Sequence, residues 1–185
     1  MFEYIRTLNE FDWVFIIDVD EYITITENIS FKDFLNQYSD YSELILYWKN
    51  FGANGHIEKP DYSKVKTYRE YYTKECGYSN YDELHSCFMK KGINLHKIKS
   101  TYKINQHLHS TANYIKTNFQ KRIHYPCFER AYISHYITKS WEEYKWKFLV
   151  RGMCCKNHRK LDDFFEMNKD MIGLKEQLEN TLIKI

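Results

Sequence analysis

The chain has 185 residues, and its 27 Lys and Arg residues nearly balance its 25 Asp and Glu residues, for a formal net charge of +2. This balance gives no electrostatic case for a general nucleic-acid binder, because such proteins have a clear excess of basic side chains. Hydrophobic residues make up 43% of the sequence, which is enough for the core of one domain. No stretch approaches the run of about 18 apolar residues that a transmembrane segment needs.

The five cysteines include no C-x-x-C pair, and their odd number leaves one over in any disulfide scheme. Neither a zinc knuckle nor a disulfide scaffold is indicated, so a reducing compartment is favoured. Charged residues at positions 3, 6 and 10 argue against a signal peptide. We expect a cytoplasmic protein that is at most peripheral at the inner face of the membrane.

The first part of the chain alternates between helical and extended patterns. The apolar residues among the first eight positions have the spacing of a short helix. The uninterrupted apolar run Trp13–Ile17 is typical of a strand buried on both faces. Ser30 as N-cap, with Asp33 three positions later, predicts a second helix. A further strand is expected at residues 44–48.

Later segments predict two more strands and three helices. A turn at residues 90–92 is expected to lead into a half-exposed strand over residues 93–98, and another strand is expected over 131–138. Ser140 and Glu143 have the spacing of a capping box, which predicts a helix from Trp141 to about Arg151. Two short helices are expected over residues 161–167 and 174–182.

Three acidic residues, Asp18, Asp20 and Glu21, follow the apolar run within four positions. We expect Asp18 and Asp20 where the strand turns into a loop and both carboxylates can converge. Ligands of α/β sheets bind at the carboxyl ends of strands, and a divalent cation holds such like charges together. Oxygen ligands favour Mg²⁺ or Mn²⁺ over zinc. A solvated turn is the alternative interpretation.

Three segments in this order resemble bacterial glycosyltransferases of the family 2 and family 92 type. They are the run Trp13–Tyr22, the loop Trp48–His56 and the segment Ser134–Gly152, so the resemblance covers roughly residues 12–152. Such enzymes have the GT-A fold, a mostly parallel sheet flanked by helices. They transfer a sugar from a nucleotide-diphosphate donor to an acceptor hydroxyl.

The resemblance implies an α/β protein with a partial GT-A domain, a mixed sheet flanked by helices, over residues 1–152, and a helical extension over residues 153–185. In these enzymes the donor-binding half precedes the D-x-D motif, and here only residues 1–11 are available for it. We therefore expect the carboxyl-terminal portion of a transferase. Such a portion would be inactive alone or would need a separate donor-half polypeptide or a homo-oligomer.

The implied function is sugar transfer from a nucleotide-diphosphate sugar to a glycan or lipid-linked sugar acceptor, in the synthesis of surface glycans such as lipopolysaccharide or capsule. By resemblance Asp20 binds Mn²⁺ or Mg²⁺, and Asp18 contacts the ribose or reaches the metal through water. His135 would complete the metal site or contact the diphosphate, although it is equally a structural histidine at the end of a strand. His109 is the next candidate.

Several other residues are candidates for substrate contacts. Lys139 is expected to meet phosphate oxygens as a point charge, with a solvated lysine as the alternative interpretation. Lys147 and Arg151, four residues apart, form either a second anionic contact or a salt-bridged helix face. Trp48 and His56 are candidates for the acceptor pocket, although Trp48 also suits a core position.

The general base remains open, because Glu21, Asp82 and Glu83 have the right chemical type but no motif selects one of them. Two other functional classes remain as alternatives. One is a phosphohydrolase of the haloacid dehalogenase type, which would expect a small Thr or Val where this chain has Tyr22. The other is a non-catalytic carbohydrate-binding protein.

Overall fold

The computed structural model describes residues 2–62, 71–72, 74–76, 89–97, 109–111, 116–117, 128–151 and 160–180. The chain forms two compact units. The first consists of Met1–Lys49 and Asn80–Ser134, and the second of Asn50–Ser79 and His135–Ile185. Within the described ranges, no helix is long and apolar enough to cross a membrane.

The first unit is built around a mixed β-sheet. In chain order its elements are α1 (Phe2–Leu8), β1 (Trp13–Phe15), β2 (Glu21–Ile25), α2 (Phe31–Asn36), β3 (Glu43–Asn50), β4 (Met89–Asn94), β5 (His109–Thr111), β6 (Lys116–Thr117) and β7 (Ala131–His135). The strand order is β1-β4-β3-β5-β6, and β7 pairs with β2 and β3. β3 and β5 are parallel, whereas β1 and β4, β3 and β4, and β5 and β6 are antiparallel. The predicted class, a mixed sheet with helices, is confirmed.

Helix α2 contributes to the main core of this unit. The Oγ of Ser30 accepts a hydrogen bond from the N–H of Asp33 at 3.0 Å, so the predicted N-cap is confirmed. Phe34 and Leu35 of α2 are buried in a cluster with residues of β3 and β7. The members of that cluster on the two strands alternate in sequence, as one face of a strand requires: Leu44, Leu46, Ala131 and Ile133.

The strand before the acidic residues is shorter and more exposed than predicted. β1 ends at Phe15 and is half-buried, and the side chains of Ile16 and Ile17 are 52% and 39% exposed. The expectation of a strand buried on both faces from Trp13 to Ile17 was therefore wrong. β1 stands at the end of the strand order, where only β4 pairs with it, so one side of the strand lacks a neighbouring strand in the described sheet.

The expected turn at residues 90–92 lies inside β4 instead, and the strand predicted over 93–98 ends at Asn94. Gly92 pairs with Phe15 across the β1–β4 ladder. A Cβ atom at position 92 would lie 2.1 Å from the ring of Phe15, so no larger residue fits there without a shift of that ring. This glycine marks a close approach of a neighbouring side chain rather than a turn.

The second unit is mainly helical in its described parts. Its elements are α3 (Trp141–Trp146), a π-helix (Lys147–Arg151), α4 (Asp163–Met167), a 3₁₀-helix (Lys169–Leu174) and α5 (Lys175–Glu179). These elements enclose a core of Ala53, Ile137, Trp141, Tyr144, Phe164, Phe165, Met167, Met171 and Leu178. The helix predicted over residues 141–151 is present, but its last turn is π-helical. The two helices predicted after it are present in shortened form.

Candidate functional site

The acidic segment forms a tight turn between β1 and β2. The N–H of Glu21 donates to the carbonyl oxygen of Asp18 at 3.0 Å, and the N–H of Asp18 donates to Glu21 Oε2 at 2.9 Å. Asp18 is exposed, whereas Asp20 and Glu21 are buried. The predicted position of Asp18 and Asp20, at a turn just after a strand, is confirmed.

Lys90 of β4 supplies an internal cation to this turn. Its Nζ lies 3.0 Å from Asp18 Oδ2, 3.3 Å from Glu21 Oε2 and 5.6 Å from the centre of the Trp48 ring. Burial favours the neutral amine, but the hydrogen bond to Asp18 and the charge of Glu21 together outweigh it and raise the pKa of Lys90. No sequence motif indicated Lys90, since its place depends on how β4 pairs.

Glu21 is the most deeply buried acid of the turn. Its side chain has no exposed surface, and within the described part of the chain its Oε1 has no hydrogen-bond partner. Burial raises the pKa of Glu21, and this effect exceeds the opposing effects of the Asp18 N–H and of Lys90. A buried carboxylate oxygen without a donor is costly, so this oxygen is an unsatisfied acceptor within the turn.

The donors of this turn suit a hard cation, although they do not form a complete cage. Among the residues that the structure describes, no group of three or more His, Cys, Asp or Glu side chains is arranged to hold a metal ion. Mg²⁺ is bound in proteins by as few as one or two carboxylates, with water and substrate phosphate as the remaining ligands. Asp18 and Asp20 therefore stay the predicted ligands of a cation that would arrive together with a phosphate group.

The other predicted site residues lie in various settings. His135 is buried at the end of β7, and its Nδ1 lies 3.0 Å from Asn50 Oδ1. His56 stacks on Tyr71 with 3.8 Å between ring centres. Trp48 packs against the core of the first unit, whereas His56 belongs to the second.

Three further candidates add little to the geometry of a site. Asp82 and Glu83, proposed as general bases, lie outside the described residues. His109 lies in β5, where its backbone pairs with Glu43 of β3, and its side chain is not described.

The second unit contains a cavity of about 340 Å³. Its lining residues are Lys59, Ile137, Thr138, Lys139, Glu142, Glu143, Trp146, Lys147 and Arg151. The cavity brings together Lys139, Lys147 and Arg151, which the sequence singled out separately as candidate anion contacts. It also adds Lys59 and Thr138, which no motif indicated.

Glu143 is fixed in the wall of this cavity by several donors. The predicted capping box with Ser140 is confirmed, and the hydroxyls of Tyr62 and Tyr72 donate to the carboxylate of Glu143 at 2.5 and 2.7 Å. Burial and the bond to Glu143 raise the pKa of both tyrosines well above the usual range. Both phenols therefore stay protonated and remain donors.

A mixed sheet flanked by helices is compatible with a nucleotide-sugar transferase fold. The family model for glycosyltransferase family 92 matches residues 4–170. The chain belongs to glycosyltransferase family 92 and is classed as a transferase. The match extends on both sides of the resemblance over residues 12–152, and it favours a transferase over the phosphohydrolase and the non-catalytic alternatives. No curated protein matches the sequence.

Proposed function

We propose that the protein transfers a sugar from a nucleotide-diphosphate sugar to a hydroxyl of a glycan or lipid-linked sugar acceptor, with Mn²⁺ or Mg²⁺ as cofactor. The process it would serve is the synthesis of surface glycans such as lipopolysaccharide or capsule. Membership in the family supports the transferase class. The finer proposal rests on the acidic turn, where the four positions 18–21 include three carboxylates and one buried oxygen lacks a hydrogen-bond partner among the described residues.

In this proposal Asp20 holds the cation and Asp18 supports it. Asp20 is only 8% exposed, so packing restricts its carboxylate, whereas the Asp18 side chain is 67% exposed and can turn away from Lys90. A bound divalent cation would stabilise the negative charge that develops on the leaving diphosphate. His135 stays a candidate for the same task, with Asn50 as the partner that orients its ring.

The remaining roles are also proposals. Lys139 is the candidate contact for the donor phosphates, and Trp48 and His56 are each kept as a candidate contact for an acceptor sugar. Glu21 suits a structural role better than that of a general base, because its carboxylate is fully buried and closes the turn through the Asp18 N–H. Among the named candidates, the base would then come from residues 82 and 83.

The test is Mn²⁺ binding, measured by titration calorimetry and by the loss of the Mn²⁺ electron paramagnetic resonance signal. We expect weak binding by the wild type, tighter binding when a nucleoside diphosphate is present, and at least roughly a tenfold loss of affinity in Asp20→Ala. The matched control is Asp40→Ala, because the Asp40 side chain is 94% exposed and lies in the same unit. Equal affinity of the wild type and Asp20→Ala would remove the proposed site. Sugar transfer is measured separately.

A further inference from the structure

Three irregular features of the second unit meet at the cavity described above, which we call the cationic cavity. They are a lysine with a left-handed backbone, a π-helical turn and a buried hydroxyl without a partner, and they involve Lys139, the segment Lys147–Arg151 and Thr138. The cavity is lined by Thr138, Lys139, Lys147 and Arg151. The other residues of the π-helical turn, Phe148, Leu149 and Val150, do not line it. Each feature costs stability on its own, so their coincidence points to a function of this cavity.

Lys139 has a backbone φ of 57°, in the left-handed region that side chains larger than glycine rarely adopt. The other non-glycine residues with positive φ in the described ranges are Asn9 and Asn54, and asparagine tolerates this conformation better than lysine does. Such strain tends to cluster at functional sites, where the surrounding structure enforces it. Here it occurs at the residue directly before the N-cap Ser140, in the cavity wall.

The π-helical turn carries two of the cations. Helix α3 ends at Trp146, and the next five residues, Lys147–Arg151, are π-helical. Single π-turns are rare and are often found at functional sites. In this turn Lys147 and Arg151 line the cavity, whereas Leu149 and Val150 are about half exposed and do not.

Thr138 provides the observation that points most directly to a missing ligand. The residue is 2% exposed, and in the described structure its Oγ1 is buried without a hydrogen-bond partner. Buried hydroxyls in folded proteins almost always have a partner, because an unsatisfied one costs free energy. Thr138 lines the cavity, so after a rotation that turns the buried hydroxyl toward the cavity, a ligand oxygen would supply the partner that the described chain does not.

The charges of the wall favour an anion. Among the described residues that line the cavity, four are cationic and two are acidic. Both acids accept hydrogen bonds from neutral protein groups, since Glu143 accepts from Tyr62 and Tyr72, and Glu142 accepts from the backbone N–H of Lys59 at 2.7 Å. The described lining residues therefore include more cationic than acidic side chains, which suits a multiply charged anion with several acceptor oxygens.

We propose that the cationic cavity is a diphosphate-binding site that works without a metal ion. Lys139, Lys147 and Arg151 would neutralise the phosphate oxygens, and Thr138 would donate its hydroxyl to one of them. Lys59 completes the set of cations. The anion site follows from the cavity itself. Its assignment to a diphosphate rests on the proposed function, in which both the nucleotide sugar and a lipid-linked acceptor have this group.

The test is titration of inorganic pyrophosphate into the full chain in the presence of EDTA. We expect saturable binding that weakens as salt is added, and a loss of affinity of roughly tenfold in Arg151→Ala and in Lys139→Gly. Glycine at position 139 relieves the backbone strain, so this variant should fold at least as well as the wild type. The matched control is Lys169→Ala, an exposed lysine of the same unit outside the cavity.

The proposal would be overturned if the wild type did not bind pyrophosphate. It would also be overturned if the wild type, Arg151→Ala and Lys139→Gly bound pyrophosphate with equal affinity. A nucleoside diphosphate that binds more tightly than pyrophosphate would assign the site to the donor, and a short-chain alkyl diphosphate that does so would assign it to the acceptor. Asp20→Ala should bind pyrophosphate like the wild type. Failure of the metal site and failure of the cationic cavity are therefore separate results.

Discussion

The acidic turn of the first unit and the cationic cavity of the second differ in the groups that contact their acidic side chains. In the turn, the ammonium of Lys90 lies within 3.3 Å of both Asp18 and Glu21, so a protein cation already contacts two of the three acids. In the cavity, hydroxyl and N–H donors hold the acids, and the cations outnumber them. A cation that binds the turn must compete with Lys90, whereas the described wall of the cavity has more cationic than acidic side chains to meet an anion.

This contrast shows that the count of charges in a segment does not indicate how ready it is to bind a ligand. The three acids of the turn are the stronger signal in the sequence, but one of them points to solvent and two of them contact Lys90. The cations of the cavity are spread along the sequence and look ordinary one by one. Their proximity, and the donors that hold the neighbouring acids, make the cavity the better prepared site.

The largest expected effect is a loss of stability in Glu143→Ala, which tests whether the acids of the cavity wall are structural. The substitution removes the acceptor of the Tyr62 and Tyr72 hydroxyls and one half of the capping box. We expect the free energy of unfolding in urea to fall by about 3 kcal/mol. Glu142→Ala is the control, because this exposed neighbour accepts from the N–H of Lys59, and it should cost under about 1 kcal/mol. If both substitutions lowered the free energy of unfolding equally, Glu143 would not have the larger structural role that its additional hydrogen bonds imply.

Lys90→Met is expected to have two opposite effects on the acidic turn. Stability should fall by about 2 kcal/mol, because the buried Glu21 loses its counter-ion. Mn²⁺ affinity should rise several-fold, because Asp18 no longer bonds to an ammonium group. Lys97→Met is the control, since its Nζ lies 4.0 Å from Asp40 at the surface. If Mn²⁺ affinity is unchanged in Lys90→Met, Lys90 does not compete with the metal.

Local features of the fold could be predicted from the sequence because their causes are local. The N-caps Ser30 and Ser140 act on residues three positions later, so a spacing of three in the sequence is enough to identify them. The turn at Asp18 and Asp20 could also be predicted, because an apolar run ends there. The apolar run itself was misleading, since the burial of Ile16 and Ile17 depends on neighbours that the run does not specify.

Contacts between distant positions could not be predicted in the same way. Lys90 reaches Asp18 across 72 positions, and this contact exists only because Phe15 pairs with Gly92 in the β1–β4 ladder. A shift of that pairing by one residue would turn Lys90 to the other face of the sheet. Likewise, no pattern in the sequence could show that Lys59 and Thr138 line one cavity, or that the hydroxyl of Thr138 lacks a partner among the described residues.

The smallest expected effect, Thr138→Val, separates stability from ligand binding most cleanly. The substitution replaces a buried hydroxyl that lacks a described partner with a methyl group of similar size. We expect the free energy of unfolding to stay equal or to rise by up to about 1 kcal/mol, because no hydrogen bond is lost and an unsatisfied polar group is removed. Pyrophosphate affinity should fall several-fold in the same variant, because the ligand loses a donor.

The matched control is Thr24→Val in the first unit, where the Thr24 hydroxyl lies 2.6 Å from the Ser134 hydroxyl. This substitution breaks a made hydrogen bond and should lower stability by about 1 kcal/mol without changing pyrophosphate affinity. Urea unfolding measures the stability of both variants, and calorimetry measures their pyrophosphate affinity. We expect Thr138→Val to lose affinity but not stability, and Thr24→Val to lose stability but not affinity. If Thr138→Val lost as much stability as Thr24→Val and bound pyrophosphate like the wild type, the Thr138 hydroxyl would have a structural role. The cationic cavity would then lack the donor that distinguishes it from an ordinary basic surface.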